Sequence, residues 1–327
     1  MLIISNVSYA ISDRFSLRDL TLQINKGAHV AIIGESGCGK TTLLKLIYGL
    51  YDTDSGTIFW NDTQITGPKD HLVPGMPFIK YLSQDFDLMP FISVEENIKK
   101  FLSRLYPEES EQRTQELLEV VEMSAFAKAH VKTLSGGQKQ RVALAQSLAN
   151  EPEILLLDEP FSHIDNFRKN RLRRKLFSYL KKQGITCIVA THDSTDILSY
   201  MDQTIVIREG NVIANDATTS LYKNPQTHYI ASLFGEVNEL PTHWFDTTII
   251  DKEATALIYP HQLSVVNKGL PVTVTQSYFK GSHYLVESTH KDTTIFFEAL
   301  QAYAPNNIVQ ISSKDYLDEP IISDKHL

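Results

Sequence analysis

Residues 34–41 read GESGCGKT, a complete G-x-x-x-x-G-K-[ST] loop. The apolar run 28–33 (AHVAII) leads into it, and TTLLKLIYGL (41–50) leads out with a helical pattern. Strand, glycine loop and helix in that order is the context in which such a loop binds phosphate. Gly34, Gly37 and Gly39 let backbone N–H groups close around phosphate oxygens. The helix N-terminus adds a favourable partial positive charge. Ser36, Cys38 and Thr42 complete the cradle, Lys40 can reach the β- and γ-phosphates, and Thr41 can ligate Mg²⁺. The residues thus point to a nucleoside triphosphate with Mg²⁺.

The surrounding chain sets bounds. Its 327 residues allow two or three domains with ample core. A net charge of −8 does not favour nucleic acid, and no nucleic-acid partner is expected. The two cysteines, Cys38 and Cys187, have the spacing of neither a metal site nor a disulfide framework. The N-terminus MLIISNVSYA is apolar for only four residues and lacks a basic leader. No apolar run approaches the roughly 18 residues needed to span a bilayer, so a soluble or peripheral protein is expected.

A second stretch fits the first. Residues 154–158 (ILLLD) read as a buried parallel strand that ends in a carboxylate, with Glu159 next. Asp158 is placed to hold Mg²⁺, and Glu159 to polarise an attacking water. Between the two lies LSGGQKQRVALAQSLA (134–149), a glycine turn opening an apolar helix, which offers another N-terminus to an anion.

With LSGGQ ahead of the ILLLDE strand, the chain resembles the ATP-binding subunit of an ABC transporter, from Leu2 to about Gly235. The resemblance implies an ATPase that uses ATP and Mg²⁺ in a P-loop NTPase (RecA-like) α/β core. Gln84, in YLSQDFDLMPFISVEENI, resembles the glutamine that senses the γ-phosphate and Mg²⁺. Residues 162–165 (SHID) resemble the loop that crosses the dimer interface. His192, in IVATHD, resembles the histidine that contacts the γ-phosphate. It also sits at the C-terminal end of a strand-like run, where open α/β sheets bind ligands. The catalytic set is therefore Glu159, His192 and Gln84, and the metal set Thr41, Gln84 and Asp158. Ser135, Gly136, Gly137 and Gln138 would complete the nucleotide site of a second copy, head to tail.

Two positions depart from the family pattern. The aromatic residue that stacks on adenine falls near Ile11, flanked by Tyr9 and Phe15, with Tyr9 placed first. His163 stands in the dimer loop where a small or amide residue is more usual, and it is read as neutral.

These landmarks divide the chain. Residues 1–235 form the nucleotide-binding domain, with a helical subdomain at about 85–134 that the resemblance makes the groove for a membrane permease. Within it, VEENIKKFLSRL and EQRTQELLEVVEMSAFAKA carry helical periodicity. The basic stretch 167–184 (FRKNRLRRKLFSYLKKQG) has apolar Leu172, Leu176 and Leu180 at helical spacing. It reads as a solvated core-facing helix in preference to one that binds anionic lipid. Residues 236–327 turn β-rich, with short runs such as TALIYP, PVTVTQSYF and TTIFF between turn signals. This predicts a small all-β barrel. It is similar to the TOBE module, of oligonucleotide-binding type, on importer ATPases for maltose, ferric iron, polyamines, sulfate and molybdate.

The implied protein energises solute import from the cytoplasmic face of the cell membrane, with permease subunits and an external solute-binding protein as partners. An export or lipid-extraction ATPase is the alternative, and a soluble protein acting on ribosomes or DNA a more distant one.

Overall fold

The computed structural model describes residues 1–12, 15–71, 73–83, 86–245, 251 and 253–313. Gln84 lies outside the described residues. Two compact units meet at Thr218/Thr219.

The first unit opens with a long hairpin, β1 (Leu2–Ser12) and β2 (Phe15–Ile24), followed by β3 (His29–Ile33) and α1 (Lys40–Tyr48). Then come β4 (Ser55–Trp60), β5 (Thr63–Ile65) and β6 (Ile79–Leu82). The helical insert holds α2 (Val94–Lys99) and α3 (Pro107–Val120), and α4 (Gly136–Leu148) follows it. The chain returns through β7 (Ile154–Asp158), α5 (Asn166–Gln183), β8 (Thr186–Ala190), α6 (Ser194–Tyr200), β9 (Gln203–Arg208) and β10 (Asn211–Ala217).

Two sheets result. One is antiparallel, in the order β2-β1-β4-β5, and the other runs β10-β9-β3-β8-β7-β6. The five strands from β9 to β6 are parallel, and β10 pairs antiparallel at the edge. Every residue of β3, β7 and β8 is buried, which explains their largely apolar composition. Crossover helices return each strand to the same end, so the C-terminal ends of β3, β7 and β8 lie side by side and present Gly34, Glu159 and Thr191 together.

The insert is helical, though less so than its periodicity suggests. Helix α2 starts at a Ser93/Glu96 capping box and ends at Lys99. The apolar period beyond it has no core to face, because Leu105 is 83 % exposed. Helix α3 stops at Val120. Glu122 then takes a left-handed φ of 50–60°, at 57°, and Arg141 Nη1 donates to its carbonyl at 3.0 Å.

The basic helix α5 packs as the core-facing reading requires. Leu172, Leu176 and Leu180 are fully buried, and Gly184 closes the helix at φ 66°. Several of its cations meet acidic side chains of the same unit: Arg171 and Lys175 meet Glu122, Lys169 and Arg173 meet Asp193, and Lys181 meets Asp202. Cations engaged in this way are less available to lipid headgroups. Among the described residues no helix is long and apolar enough to cross a membrane.

The second unit starts before the expected boundary at Gly235. Helices α7 (Thr218–Lys223) and α8 (His228–Ser232) belong with the β elements that follow. Tyr222 stacks on Tyr259, with centroids 4.6 Å apart, and the Tyr259 hydroxyl donates to the Ala231 carbonyl at 3.3 Å. The strands are β11 (Asn238–Pro241), β12 (Thr255–Ile258), β13 (Leu263–Phe279), β14 (Tyr284–His290), β15 (Thr293–Ala299) and β16 (Ile308–Ser313). They form an antiparallel β11-β12 pair and a four-stranded antiparallel sheet, β15-β14-β13-β16. Leu240 and Ile258 of the pair share one core with Val272, Val286, Phe297 and Ile311 of the sheet. Among the described residues no ladder joins the two, and the strands form a small antiparallel β domain around that shared core, as the sequence leads one to expect.

Candidate functional site

The loop after β3 and the N-terminus of α1 enclose a cavity of about 680 Å³. Its wall includes Phe15, Gly34, Ser36, Gly37, Gly39, Lys40, Thr41 and Thr42, together with Asp158, Glu159 and His192. Residues from four separate stretches of sequence thus meet at one site.

Glycine is required at two points of the loop. Gly34 has φ 146°, and a Cβ there would lie 2.1 Å from the Ile207 carbonyl oxygen. Gly39 has φ 111°, and a Cβ there would meet Leu17 Cδ2 at 2.5 Å. Lys40 Nζ donates to the Gly34 and Glu35 carbonyls, each at 2.8 Å, which fixes the ammonium inside the loop. Cys38 is buried and is not part of the cavity wall, and its N–H donates to the Glu35 carbonyl at 3.2 Å.

Thr41 Oγ1, at the start of α1, donates to Asp158 Oδ2 at 2.8 Å. The Tyr81 hydroxyl donates to the same oxygen at 3.3 Å. Burial, and then the Asp158 carboxylate, push the Tyr81 phenol well above its ordinary pKa, so it remains a donor. A hydroxyl and a carboxylate are hard oxygen ligands that suit Mg²⁺. Among the described residues no group of three or more His, Cys, Asp and Glu could hold a metal alone. Phosphate oxygens and water would therefore complete the shell, which is the way Mg²⁺ accompanies a nucleotide.

Glu159 follows β7 in the left-handed region, at φ 50°, a conformation that costs a non-glycine residue free energy. Its N–H donates to the Ala190 carbonyl at 3.0 Å, and its carbonyl accepts from Gln140 Nε2 at 3.1 Å. The side chain is directed at His192, with Nδ1 to Oε1 at 2.8 Å. His192 is 80 % exposed and Glu159 19 %, so the pair sits at the cavity mouth.

The remaining candidates lie elsewhere. Ser135 caps α4 in a reciprocal box with Gln138, and Ser135, Gly136, Gly137 and Gln138 are not part of the cavity wall. His163 packs edge-on against Phe86 at 5.8 Å, and its N–H donates to Gln140 Oε1 at 3.2 Å. Tyr9, placed first for the adenine, stacks on Tyr51 at 5.3 Å and is absent from the cavity wall, whereas Phe15 is part of it. Sequence reasoning also missed Tyr81 and Gln140, for which no local motif gives a signal.

Residues 17–162 match the family described as ABC transporter. Residues 17–162 thus carry the ABC transporter domain that this match describes. Over 249 residues it is 35 % identical to the sulfate/thiosulfate import ATP-binding protein CysA of Vibrio cholerae, covering 74 % of this chain and 65 % of the relative. Over 237 residues it is 37 % identical to the spermidine/putrescine import ATP-binding protein PotA of Thermotoga maritima, covering 72 % and 63 %. The match thus spans a little under two thirds of the length of these relatives.

The fold is similar to the ATP-binding cassette MJ0796, solved as a dimer in a post-hydrolysis state with ADP and Pi. The TM-score is 0.59 at 28 % identity, covering 67 % of this chain and 99 % of that one. It is also similar to cbiO1 from Clostridium perfringens, part of the ABC transporter complex cbiONQ, with TM-score 0.60, 28 % identity and coverage of 68 % and 90 %.

Proposed function

We propose that this protein is the ATP-hydrolysing subunit of an ABC importer for a small ion or polar solute. The observation that carries this reading is the Glu159–His192 hydrogen bond at the mouth of a cavity floored by Lys40 and the Thr41–Asp158 pair. The loop amides and Lys40 bind the β- and γ-phosphates. Thr41 and Asp158 would hold Mg²⁺, with Gln84 a further ligand by the family resemblance alone, and the ion would supply positive charge to the phosphate oxygens. Glu159 orients the attacking water and takes its proton, and His192 holds Glu159 and faces the γ-phosphate. Phe15, on the cavity wall, supplies the apolar face for the base.

Ser135–Gln138 lie outside this cavity, which supports a head-to-tail pair in which each copy completes the other's site. The dimeric cassette among its structural relatives favours the same arrangement. The two relatives named as import ATP-binding proteins favour import, with permease subunits as partners at the cytoplasmic face of the membrane. The β-rich residues 236–327 extend beyond the nucleotide-binding domain as a regulatory or dimerisation module, as the sequence suggests.

The test is Glu159→Gln. Turnover should fall about 10²- to 10³-fold, in line with loss of a general base, and ATP–Mg²⁺ should convert the variant to a stable dimer in size-exclusion chromatography. A variant that stays monomeric in ATP, or hydrolyses at the parental rate, would refute the role given to Glu159. Copurification of a polytopic permease with the trapped dimer supports transport. Recovery of ribosomal or DNA-associated proteins alone overturns it.

A further inference from the structure

Behind the Glu159–His192 pair lies one buried guanidinium. Arg173 projects from α5 and its side chain is 4 % exposed. Nη2 donates to Asp193 Oδ2, and Nε forms an ion pair with Asp196 Oδ1 at 2.5 Å without the alignment of a hydrogen bond. Asp193 is the residue after His192. Its other oxygen caps α6 by accepting from the Thr195 N–H at 3.0 Å, and its own N–H donates to Thr191 Oγ1 at 3.1 Å. The Thr191 hydroxyl donates to Asp196 Oδ2 at 3.4 Å. The turn that carries His192 is therefore tied on both sides to carboxylates that Arg173 holds.

The same guanidinium also reaches the other catalytic turn. Its carbon lies 5.4 Å from the ring centroid of Phe161, two residues after Glu159. Phe161 is 3 % exposed and packs edge-on against Phe177 of α5 at 5.9 Å. Lys169 is a second cation near Asp193, at 3.8 Å, but a single ammonium cannot make the guanidinium's fork. Arg173 thus contacts both the residue after His192 and the ring two residues after Glu159.

We propose that Arg173 is a positioning residue whose guanidinium holds the Glu159 turn and the His192 turn in the register that sets their hydrogen bond. The inference rests on the reading of Glu159 and His192 as the catalytic pair. Arginine suits the task because its planar fork meets two carboxylates while its face stacks on a ring, and lysine can do only one of these. A register error of about 1 Å at reacting groups costs up to about 10²-fold in rate.

The test is Arg173→Lys, which keeps a cation beside Asp193 and Asp196 and so avoids a buried uncompensated charge. Two readouts are taken on the full chain. The first is the imidazole NMR signal of His192, assigned by its loss in His192→Asn. In the parent this signal should move when Glu159→Gln is introduced. In Arg173→Lys the Glu159 dependence should shrink by more than half. The second is steady-state hydrolysis, where kcat should fall about 10-fold or more with KM for ATP within about twofold of the parent. In the Glu159→Gln background Arg173→Lys should change the residual rate less than twofold.

Phe161→Leu provides an independent perturbation. It removes the ring without touching a charge, and it should weaken the same NMR coupling. Persistence of the full Glu159-dependent shift in both variants overturns the proposal, and so does a kcat loss of equal size with Gln at 159. A parent that shows the NMR coupling but no ATPase would instead refute the proposed function and leave the positioning role standing.

Discussion

Replacing His29 with leucine should flatten the acid sensitivity of the nucleotide-binding unit. His29 begins β3, the strand that delivers the phosphate loop, and it is fully buried with Phe177 at 5.7 Å from its ring. Burial above all, and then the Lys181 ammonium, lower its pKa from 6.5 to about 4. Asp202 and the Tyr200 backbone oppose the shift, the latter without an aligned hydrogen bond.

The unfolded chain therefore binds a proton that the folded one refuses between pH 6.5 and pH 4, and stability must fall as pH drops through that window. A gap of about 2.5 pH units at 1.36 kcal/mol per unit gives about 3 kcal/mol below pH 4. The same linkage gives about 2 kcal/mol at pH 5 and almost nothing at pH 7.5. Asp196, which burial pushes up to about 6, contributes with the opposite sign over the same range. Its stabilisation is full below the unfolded pKa and is lost as pH rises through about 6, and it is common to both proteins, so it cancels in the difference.

The assay is urea unfolding at pH 7.5 and pH 5, followed by tryptophan fluorescence. The chain has two tryptophans, and Trp244→Phe in both backgrounds leaves Trp60, 2 % exposed in the first unit, as the reporter. Parent minus His29→Leu should change by about 2 kcal/mol between the two pH values, to the detriment of the parent in acid. A difference that is the same at both pH values, or that favours the parent at pH 5, would mean His29 is not held neutral by burial.

Other outcomes follow from single contacts. Phe15→Ala should raise KM for ATP by about 10-fold, because a base on an aromatic face is worth about 1–3 kcal/mol, whereas Tyr9→Leu should leave KM unchanged; the reverse ranking in a nucleotide-binding titration would return the base to Tyr9. Asn238, 4 % exposed, donates to the Ile258 and Phe296 carbonyls at 3.0 and 2.8 Å and accepts from the Phe296 N–H at 2.8 Å. Asn238→Leu strands these groups and should destabilise the second unit by about 2–3 kcal/mol, read from Trp244 with Trp60→Phe in both proteins; an unchanged midpoint refutes the bridge.

What the sequence reveals about the site depends on whether the chemistry is local. GESGCGKT is legible because Gly34 and Gly39 must adopt conformations that a side chain forbids, and because Lys40 and Thr41 lie within one turn of them. ILLLDE and ATHD are legible because a parallel strand buried on both faces must be apolar until it reaches the ligand edge. Tyr81 gains its meaning from Asp158, 77 residues away, and Arg173 from Asp193, 20 residues away, and no spacing rule links either pair. Phe15 ranks behind Tyr9 in the sequence for a different reason. The β1–β2 register slips between Ile4 and Val7, between Val7 and Tyr9, and again between Ala10 and Ser12. Each slip resets which side chains share a face, so counting along the strand cannot tell that Tyr9 meets Tyr51 while Phe15 borders the cavity.

The two curated relatives sharpen where specificity resides. One is named for sulfate and thiosulfate, which are anions, and the other for spermidine and putrescine, which are polycations, yet the chain is 35 % and 37 % identical to them. A domain that recognised the solute directly could not resemble both so evenly, because a pocket suited to a divalent anion repels a polyamine by several kcal/mol. The cavity described above is lined by groups that suit a triphosphate, and it offers nothing that distinguishes solutes of opposite charge. The common element is therefore the nucleotide chemistry. On the proposed reading the nucleotide-binding domain does not read the charge of the cargo, and exchanging permeases between such systems should change the solute while the kcat of the ATPase still depends on Glu159 and Arg173.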